Sequence, residues 1–367
     1  MVVGANVSSV KGTNIPMRKL VSIQKVHSIR PIDGADAIEA ISVQGWHLVA
    51  KKNEFKNGDL CVFFEIDSIL PDLKTIKELA GEEVTDDDLI FEFMRKSKFR
   101  VKTRKMLGSI SQGLAIPISN FPQLNGMRMV EDMELTERLG VRKYDPEAES
   151  MINGTGTKFK EGLRKTDETR VQSMKKSLRN VIGLDAYIAE KMEGSSTTFY
   201  LMDNVFGVCS RNLDVDANPE RLDDRWKLAL EYNVEQLMRD YDAKNEIGNF
   251  AIQAEMIGPG IQGNIYGLQK KEFRIFSFFK EREQRYSTYS ELTNLIEETG
   301  LPLVPIIDDN FTISSDIDAL VELSIGNSAL AKRSREGIVI RTKDYTASGE
   351  IFSCKAINPN YLLKQKD

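Results

Sequence analysis

The chain has 367 residues, more than one compact domain usually holds, so two units that each bury a core are expected. A composition of 41% hydrophobic and 29% charged residues excludes disordered, collagen-like and disulfide-framework chains. Against 50 Lys and Arg stand 55 Asp and Glu, a formal net charge of −5, so no global positive field draws in nucleic acid or an anionic membrane and any polyanion partner needs a local patch. Cys61, Cys209 and Cys354 are widely spaced and read as buried, reduced thiols of an intracellular, cytoplasmic protein. Only His27 and His47 occur, both early, which excludes a histidine triad or zinc cluster elsewhere. Met1–Asn14 lacks a sustained apolar stretch and no run approaches the roughly 18 apolar residues of a membrane span, so neither export nor anchoring is expected.

The first third reads as mostly β. Met17–Val26 partly alternates apolar and polar residues, and Trp46–Ala50, Leu60–Ile66 and Leu114–Ile118 are short strand-like runs. Asn57-Gly58, between two of these runs, predicts a hairpin because both residues tolerate positive φ. From Leu73 to Lys98 the pattern turns acidic and helix-favouring, which predicts a helical insert. Short strands with one such insert suit a small barrel of the OB type.

The run Arg95–Lys105 holds seven cations and no acid. If extended, it points Phe99, Val101 and Thr103 to one face and Arg100, Lys102 and Arg104 to the other. Two readings stand beside each other: a solvated edge that discourages strand pairing, and a phosphate-tracking face for nucleic acid. Residues 120–162 are rich in Gly, Pro, Asn and acids (Asn125-Gly126, Asp145-Pro146, Asn153–Gly156) with one short helical candidate at Met133–Leu139, and the domain junction is placed there. Beyond it, strand-like segments (Ala186–Tyr200, Val205–Ser210, Phe250–Ile257, Phe273–Phe279, Gly337–Arg341, Ile351–Ala356) are broken by helices predicted at Asp223–Tyr241 and Tyr286–Thr299, an α+β pattern.

The chemistry-bearing positions fall in this second part. Lys-x-x-Gly occurs twice, at Lys105–Gly108 among other cations and at Lys191–Gly194 just past an apolar strand, with Glu190 and Glu193 flanking the lysine. A nucleophilic lysine has to lose its proton, which burial and positive charge favour and carboxylates oppose. Glutamates around Lys191 therefore require a divalent metal or other cations to offset them. Glu255 closes an apolar strand before a glycine-rich turn, Glu336 directly precedes another, and Lys355 lies within a third. Charges seldom enter apolar strands unpartnered, so Lys191, Glu193, Glu255, Glu336 and Lys355 are expected to converge on one site. The aromatics of Phe273–Phe279 read as core, with one available to stack on a base.

Taken in order, Lys191-x-x-Gly194, Ser210-Arg211-Asn212, Glu255, Phe273–Phe279, Arg335-Glu336-Gly337 and the strand ending at Lys355 resemble the covalent nucleotidyltransferases, the ATP-dependent RNA and DNA ligases and mRNA capping enzymes. Ser111–Leu114 and Lys165–Gln172 are similar to RNA ligases of the Naegleria type, in which an OB-like domain comes first. The resemblance implies an α+β fold with an N-terminal OB-like β-barrel domain (1–125), a linker (126–163) and an ATP-grasp-like adenylyltransferase domain of antiparallel sheets and helices (164–367). It implies that Lys191 forms lysyl-AMP from ATP, that AMP passes to an RNA 5′-phosphate, and that a 3′-hydroxyl then seals the strand, in RNA repair and by a monomer. Glu190 would accept from adenine N6, Phe276 would stack on the base, and Arg211 with Glu255 would hold the ribose. Glu193, Glu255 and Glu336 would position Mg²⁺ or Mn²⁺ through water, and Lys355 with Arg170 would neutralise phosphate, beside Gly194. Where relatives carry Lys-x-Lys this chain has Lys355-Ala356-Ile357, leaving Lys343 or Lys364 as the second phosphate contact. A DNA ligase, a capping-type transferase and a non-catalytic nucleic-acid-binding protein are the alternatives.

Overall fold

The computed structural model describes residues 19–144 and 157–364. Met1–Asn14 and the turns at Asp145-Pro146 and Asn153–Gly156 lie outside the described residues. Strands in chain order are β1 Val21–Pro31, β2 Ile38–Val43, β3 Trp46–Lys51, β4 Leu60–Phe64, β5 Ser68–Ile69, β6 Thr103–Met106, β7 Ser109–Gln112, β8 Leu114–Pro117, β9 Arg142–Lys143 and β10 Thr157–Lys158. They continue with β11 Asp185–Lys191, β12 Ser195–Met202, β13 Val205–Cys209, β14 Leu213–Asp214, β15 Phe250–Ile257, β16 Glu272–Lys280, β17 Arg285–Tyr286, β18 Ile306–Thr312, β19 Gly337–Thr342 and β20 Ser353–Ile357. Contacts divide the chain into two units, the first comprising Met1–Val26, Glu54–Lys102 and Gly113–Tyr144, and the second the rest. This division does not follow sequence blocks, because His27–Asn53 and Thr103–Gln112 group with the carboxy-terminal residues.

In the first unit β4 pairs antiparallel with both the start of β1 and β8. Val21, Ile23, Val62, Phe64 and Ile116 from these strands are buried with Phe91, Phe99, Val101 and Phe121. Phe64 meets Phe91 edge-on at 5.6 Å. The helical insert is one helix, Leu73–Ala80, capped by Asp72 and ended by left-handed Gly81, followed by 3₁₀ turns at Asp86–Leu89 and Glu92–Ser97. Met133–Leu139 holds an isolated bridge from Glu134 to Ser22 and a turn from Thr136 on, not a helix. Nor does Asn57-Gly58 make a hairpin: it sits in the long link from Lys51 to Leu60, and β4 pairs with β1.

In the second unit, one hairpin joins β2 to β3 through Gln44-Gly45, both at positive φ as a tight two-residue turn demands. The larger sheet runs β10-β14-β13-β12-β15-β16-β17 and a four-stranded sheet runs β18-β11-β19-β20. Helices Asp224–Glu231, Val234–Asn245 and Tyr289–Thr299 cover the large sheet on Phe199, Ile252, Phe273 and Phe278. The single helix expected at Asp223–Tyr241 is split where Asn233 adopts a left-handed conformation. Strand β11 is apolar on both faces, as expected of a strand covered on both sides: Ala186 and Ile188 pack with Ile338, Ile340 and Ala356, while Tyr187 and Ala189 pack with Ile257 and Tyr266. Alternation then sends Lys191 to the face shared with the end of β15.

Candidate active site

Lys191 is the last residue of β11, paired with Gly337 on β19, so Glu336 lies one residue beyond that pair. Lys191 Nζ donates to Glu336 Oε1 at 2.7 Å, with only 23% and 19% of the two side chains exposed. On the other side of β19, Val339 pairs with Lys355 of β20, and Lys355 N donates to Thr169 O at 2.9 Å in the bridge that sets Arg170 alongside Lys355. Glu255 comes from the second sheet, opposite Ser196 in the pairing of β12 with β15.

The glycine of Lys191-x-x-Gly194 is a packing requirement. A Cβ at Gly194 would stand 2.4 Å from Met256 O and 2.7 Å from Glu255 Cγ, so only hydrogen lets the turn lie against β15 and bring Glu255 near Lys191. Gly337 is held to glycine the same way, its Cβ meeting Ala356 O at 2.2 Å.

Electrostatics tie these groups together. Burial works against the charged form of Lys191, but Glu336 and Glu255 outweigh it and hold the pKa above the ordinary lysine value. Lys191 thus rests as an ammonium on Glu336, and its nucleophilic form requires cations to draw that carboxylate off. Burial lowers Lys355 to about 8, reinforced by the charges of Lys191 and Arg170. Burial raises Glu255 to about 7 against the pull of Lys191, with Glu336 adding to the rise.

Of the remaining sequence-derived residues, Glu190 is buried and its Oε2 accepts from Ala329 N at 2.8 Å, while Oε1 has no hydrogen-bond partner. A buried carboxylate oxygen left over beside Lys191 fits a ligand amino group. Glu193 Oε1 accepts from Gly263 N at 3.4 Å and its Oε2 is also unpartnered. Phe276 is half-buried against the cluster of Tyr187, Ile257 and Tyr266, whereas Phe273, Phe278 and Phe279 are core. Arg211 pairs with Asp167 at 2.6 Å and its charge also acts on Glu255. Lys343 is set apart, since its backbone meets Asp185 at the far end of β11. Lys364 donates to Ser334 Oγ at 2.8 Å, two residues before Glu336. Among the described residues no group of three or more His, Cys, Asp or Glu is gathered to hold a metal. The oxygen donors present suit instead a hydrated Mg²⁺ or Mn²⁺ completed by substrate phosphates.

A family model described as RNA ligase matches residues 185–357, and an OB-fold domain model matches residues 20–118. Naegleria gruberi RNA ligase with PPi is 31% identical, with 96% of this chain and 100% of that chain covered and a TM-score of 0.72. The chain belongs to the RNA ligase family. A Naegleria gruberi RNA ligase mutant in the apo state is likewise 31% identical over 95% of this chain and 99% of that one, at a TM-score of 0.72. A further mutant of that ligase, with ATP and Mn, is 29% identical over 95% and 99% at a TM-score of 0.72. No curated protein matches the chain in sequence. This RNA ligase is therefore an enzyme with an amino-terminal OB-fold domain followed by a sheet-rich nucleotidyltransferase-like domain.

Several supports of the residues around Lys191 were not visible in the sequence. Arg225 donates to Ser195 Oγ at 2.6 Å and to Ser196 O at 3.2 Å, and its charge acts on Glu255. Tyr266 accepts from Glu193 N at 2.6 Å through its hydroxyl. Buried Arg341 donates to Glu168 Oε1 at 2.5 Å and to Phe276 O, and lies 5.6 Å from the Phe276 ring centroid. An arginine as the fifth residue of the strand that follows Glu336 was a signal, since an uncompensated buried charge is costly. In the basic run, Arg95 is paired with Asp72 and Glu92, and Arg100 with Asp67 at 2.6 Å beneath Tyr144, while Lys102 and Arg104 are exposed. Phe99 and Val101 are buried as alternation expects, but Lys98 and Phe99 have positive φ, so the segment starts as a turn and not as a strand.

No helix among the described residues is long and apolar enough to cross a membrane.

Proposed function

We propose that this RNA ligase is ATP-dependent and joins RNA 3′-hydroxyl and 5′-phosphate ends through lysyl-AMP, in RNA repair. The observation that carries this reading is the partly buried Lys191–Glu336 pair with Glu255, Lys355 and Arg170 acting on it. Once Lys191 gives up its proton, Nζ attacks the α-phosphorus of ATP, a P–N bond forms and the P–O bond to pyrophosphate breaks. Lys355 and Arg170 balance the charge that accumulates on the leaving group. The 5′-phosphate of RNA then takes AMP from Lys191, and the 3′-hydroxyl attacks that phosphate to release AMP.

Glu190 Oε1 accepts from the adenine amino group, Phe276 stacks on the base, and Arg211 and Glu255 hold the ribose. Glu193, Glu255 and Glu336 would hold a hydrated Mg²⁺ or Mn²⁺ through water, and the ion would supply positive charge against phosphate and carboxylate. Lys364, near Ser334, takes the place of the missing second motif lysine. Domains at 1–125 and 164–367 joined by 126–163 divide the work, with Arg100, Lys102 and Arg104 gripping RNA. The enzyme acts as a monomer in the cytoplasm, a setting supported by three free, buried cysteines.

The test is sealing with ATP and divalent metal of a nicked RNA duplex, free RNA strands and the matching DNA nick. The proposal expects RNA products that require both a 3′-hydroxyl and a 5′-phosphate. Sealing only of DNA, or sealing that GTP supports better than ATP, contradicts it.

A further inference from the structure

The hairpin β2–β3 lies far from Lys191 in sequence, yet its contacts group it with the unit that carries the active site. Its tip is seated with little tolerance. A Cβ on Gly45 would come 2.8 Å from Ile317 Cγ2 and 3.3 Å from Gln172 Cγ, and Gln172 Nε2 donates to Gly45 O at 3.4 Å. Gln172 belongs to the 3₁₀ turn Val171–Met174 that begins directly after Arg170, and both Val171 and Gln172 are buried. The next hairpin residue, Trp46, has none of its surface exposed and places its ring 5.3 Å from the Arg170 guanidinium.

Arg170 stands among Lys355 and Lys191 and the carboxylates of Glu336 and Asp167 that act on Lys355. It lies alongside Lys355, where its charge adds to the lowering that burial begins, and it opposes in small part the rise that Glu336 and Glu255 give Lys191. A long arginine side chain among charges of both signs has more than one orientation open to it. The negative face of the Trp46 indole, none of whose surface is exposed, draws the guanidinium toward one of them. Because the ring is fixed by the Gln44-Gly45 turn, the arginine is held ready rather than recruited.

We propose that Trp46 is a positioning residue for Arg170, so that the amino-terminal hairpin completes the site that handles the ATP phosphates. The inference rests on the ligase reading above and concerns only the first chemical step, because RNA-adenylate carries no β- or γ-phosphate.

The experiment measures self-adenylylation with ATP and, separately, sealing of preformed RNA-adenylate, for wild type, Trp46→Leu, Trp46→Phe, Arg170→Ala and the double variant Trp46→Leu/Arg170→Ala. Trp46→Leu is expected to slow adenylylation about tenfold, Trp46→Phe to recover most of that loss, and sealing of RNA-adenylate to hold. In the double variant the leucine should add nothing to the loss from Arg170→Ala. Equal losses in both steps, multiplying losses in the double variant, or full activity of Trp46→Leu overturn the proposal. A wild-type protein that takes no AMP overturns the ligase reading itself, an outcome separable from the others.

Discussion

The chain writes Lys-x-x-Gly twice, and the two copies fold to different ends. At Lys105–Gly108 the pattern is a hairpin tip: β6 and β7 pair around Leu107 and Gly108, both at positive φ, and a Cβ on Gly108 would meet nothing within 4 Å. At Lys191–Gly194 the glycine is needed for space, its Cβ colliding with β15. One glycine serves a turn, the other a close approach that brings Glu255 toward a lysine already paired with Glu336. A short motif therefore gathers charged partners only where packing sets them around it.

The largest contrast is expected in covalent labelling with α-labelled ATP. Lys191→Ala should abolish the label, whereas Lys105→Ala, whose Nζ only meets Leu363 O at 2.5 Å, should leave it intact. The glycines should separate next. Gly194→Ala is expected to reduce labelling by about 100-fold or more through displacement of reacting groups, while Gly108→Ala should cost about 1–2 kcal/mol in a denaturant melt, from the strained backbone alone, with labelling unchanged.

A smaller effect follows from pH. Lys355 carries its charge below about 8 and loses it above. Its help to the phosphates should accordingly fall about tenfold between about pH 7 and about pH 9 in kcat/KM for adenylylation. Lys355→Arg stays charged, so the ratio of that variant to wild type should rise across the same range. A flat ratio would contradict the role given to Lys355.

The smallest effect belongs to the basic run. Loss of Lys102 or Arg104 should weaken RNA binding and lower the salt slope by about 0.7 for each phosphate contact removed from a single strand, leaving adenylylation unchanged. Arg100→Ala should change the slope less, because Asp67 and Tyr144 already engage that guanidinium.

The grouping of charges around Lys191 was more legible in the sequence than the strand pairing. Lys191, Glu255, Glu336 and Lys355 stand out because charges at the ends or in the middle of apolar strands demand partners, and the structure supplies them. Asn57-Gly58 misled because a turn signal says nothing of which strands pair, while Gln44-Gly45, which does join paired strands, pairs a less typical residue with glycine. Asn233 split a helix that looked continuous by pattern, since a single left-handed residue leaves the hydrophobic spacing intact on either side. Trp46 read only as the start of a strand-like run, because its relation to Arg170 depends on a long-range docking that no local pattern encodes.

The central claim is that Lys191 becomes the carrier of AMP. Intact-protein mass after incubation with ATP and Mn²⁺ or Mg²⁺, followed by peptide mapping, tests it most directly. The account predicts a gain of one AMP, located on Lys191. No gain in mass, or an AMP on Lys105 or any other residue, would contradict it.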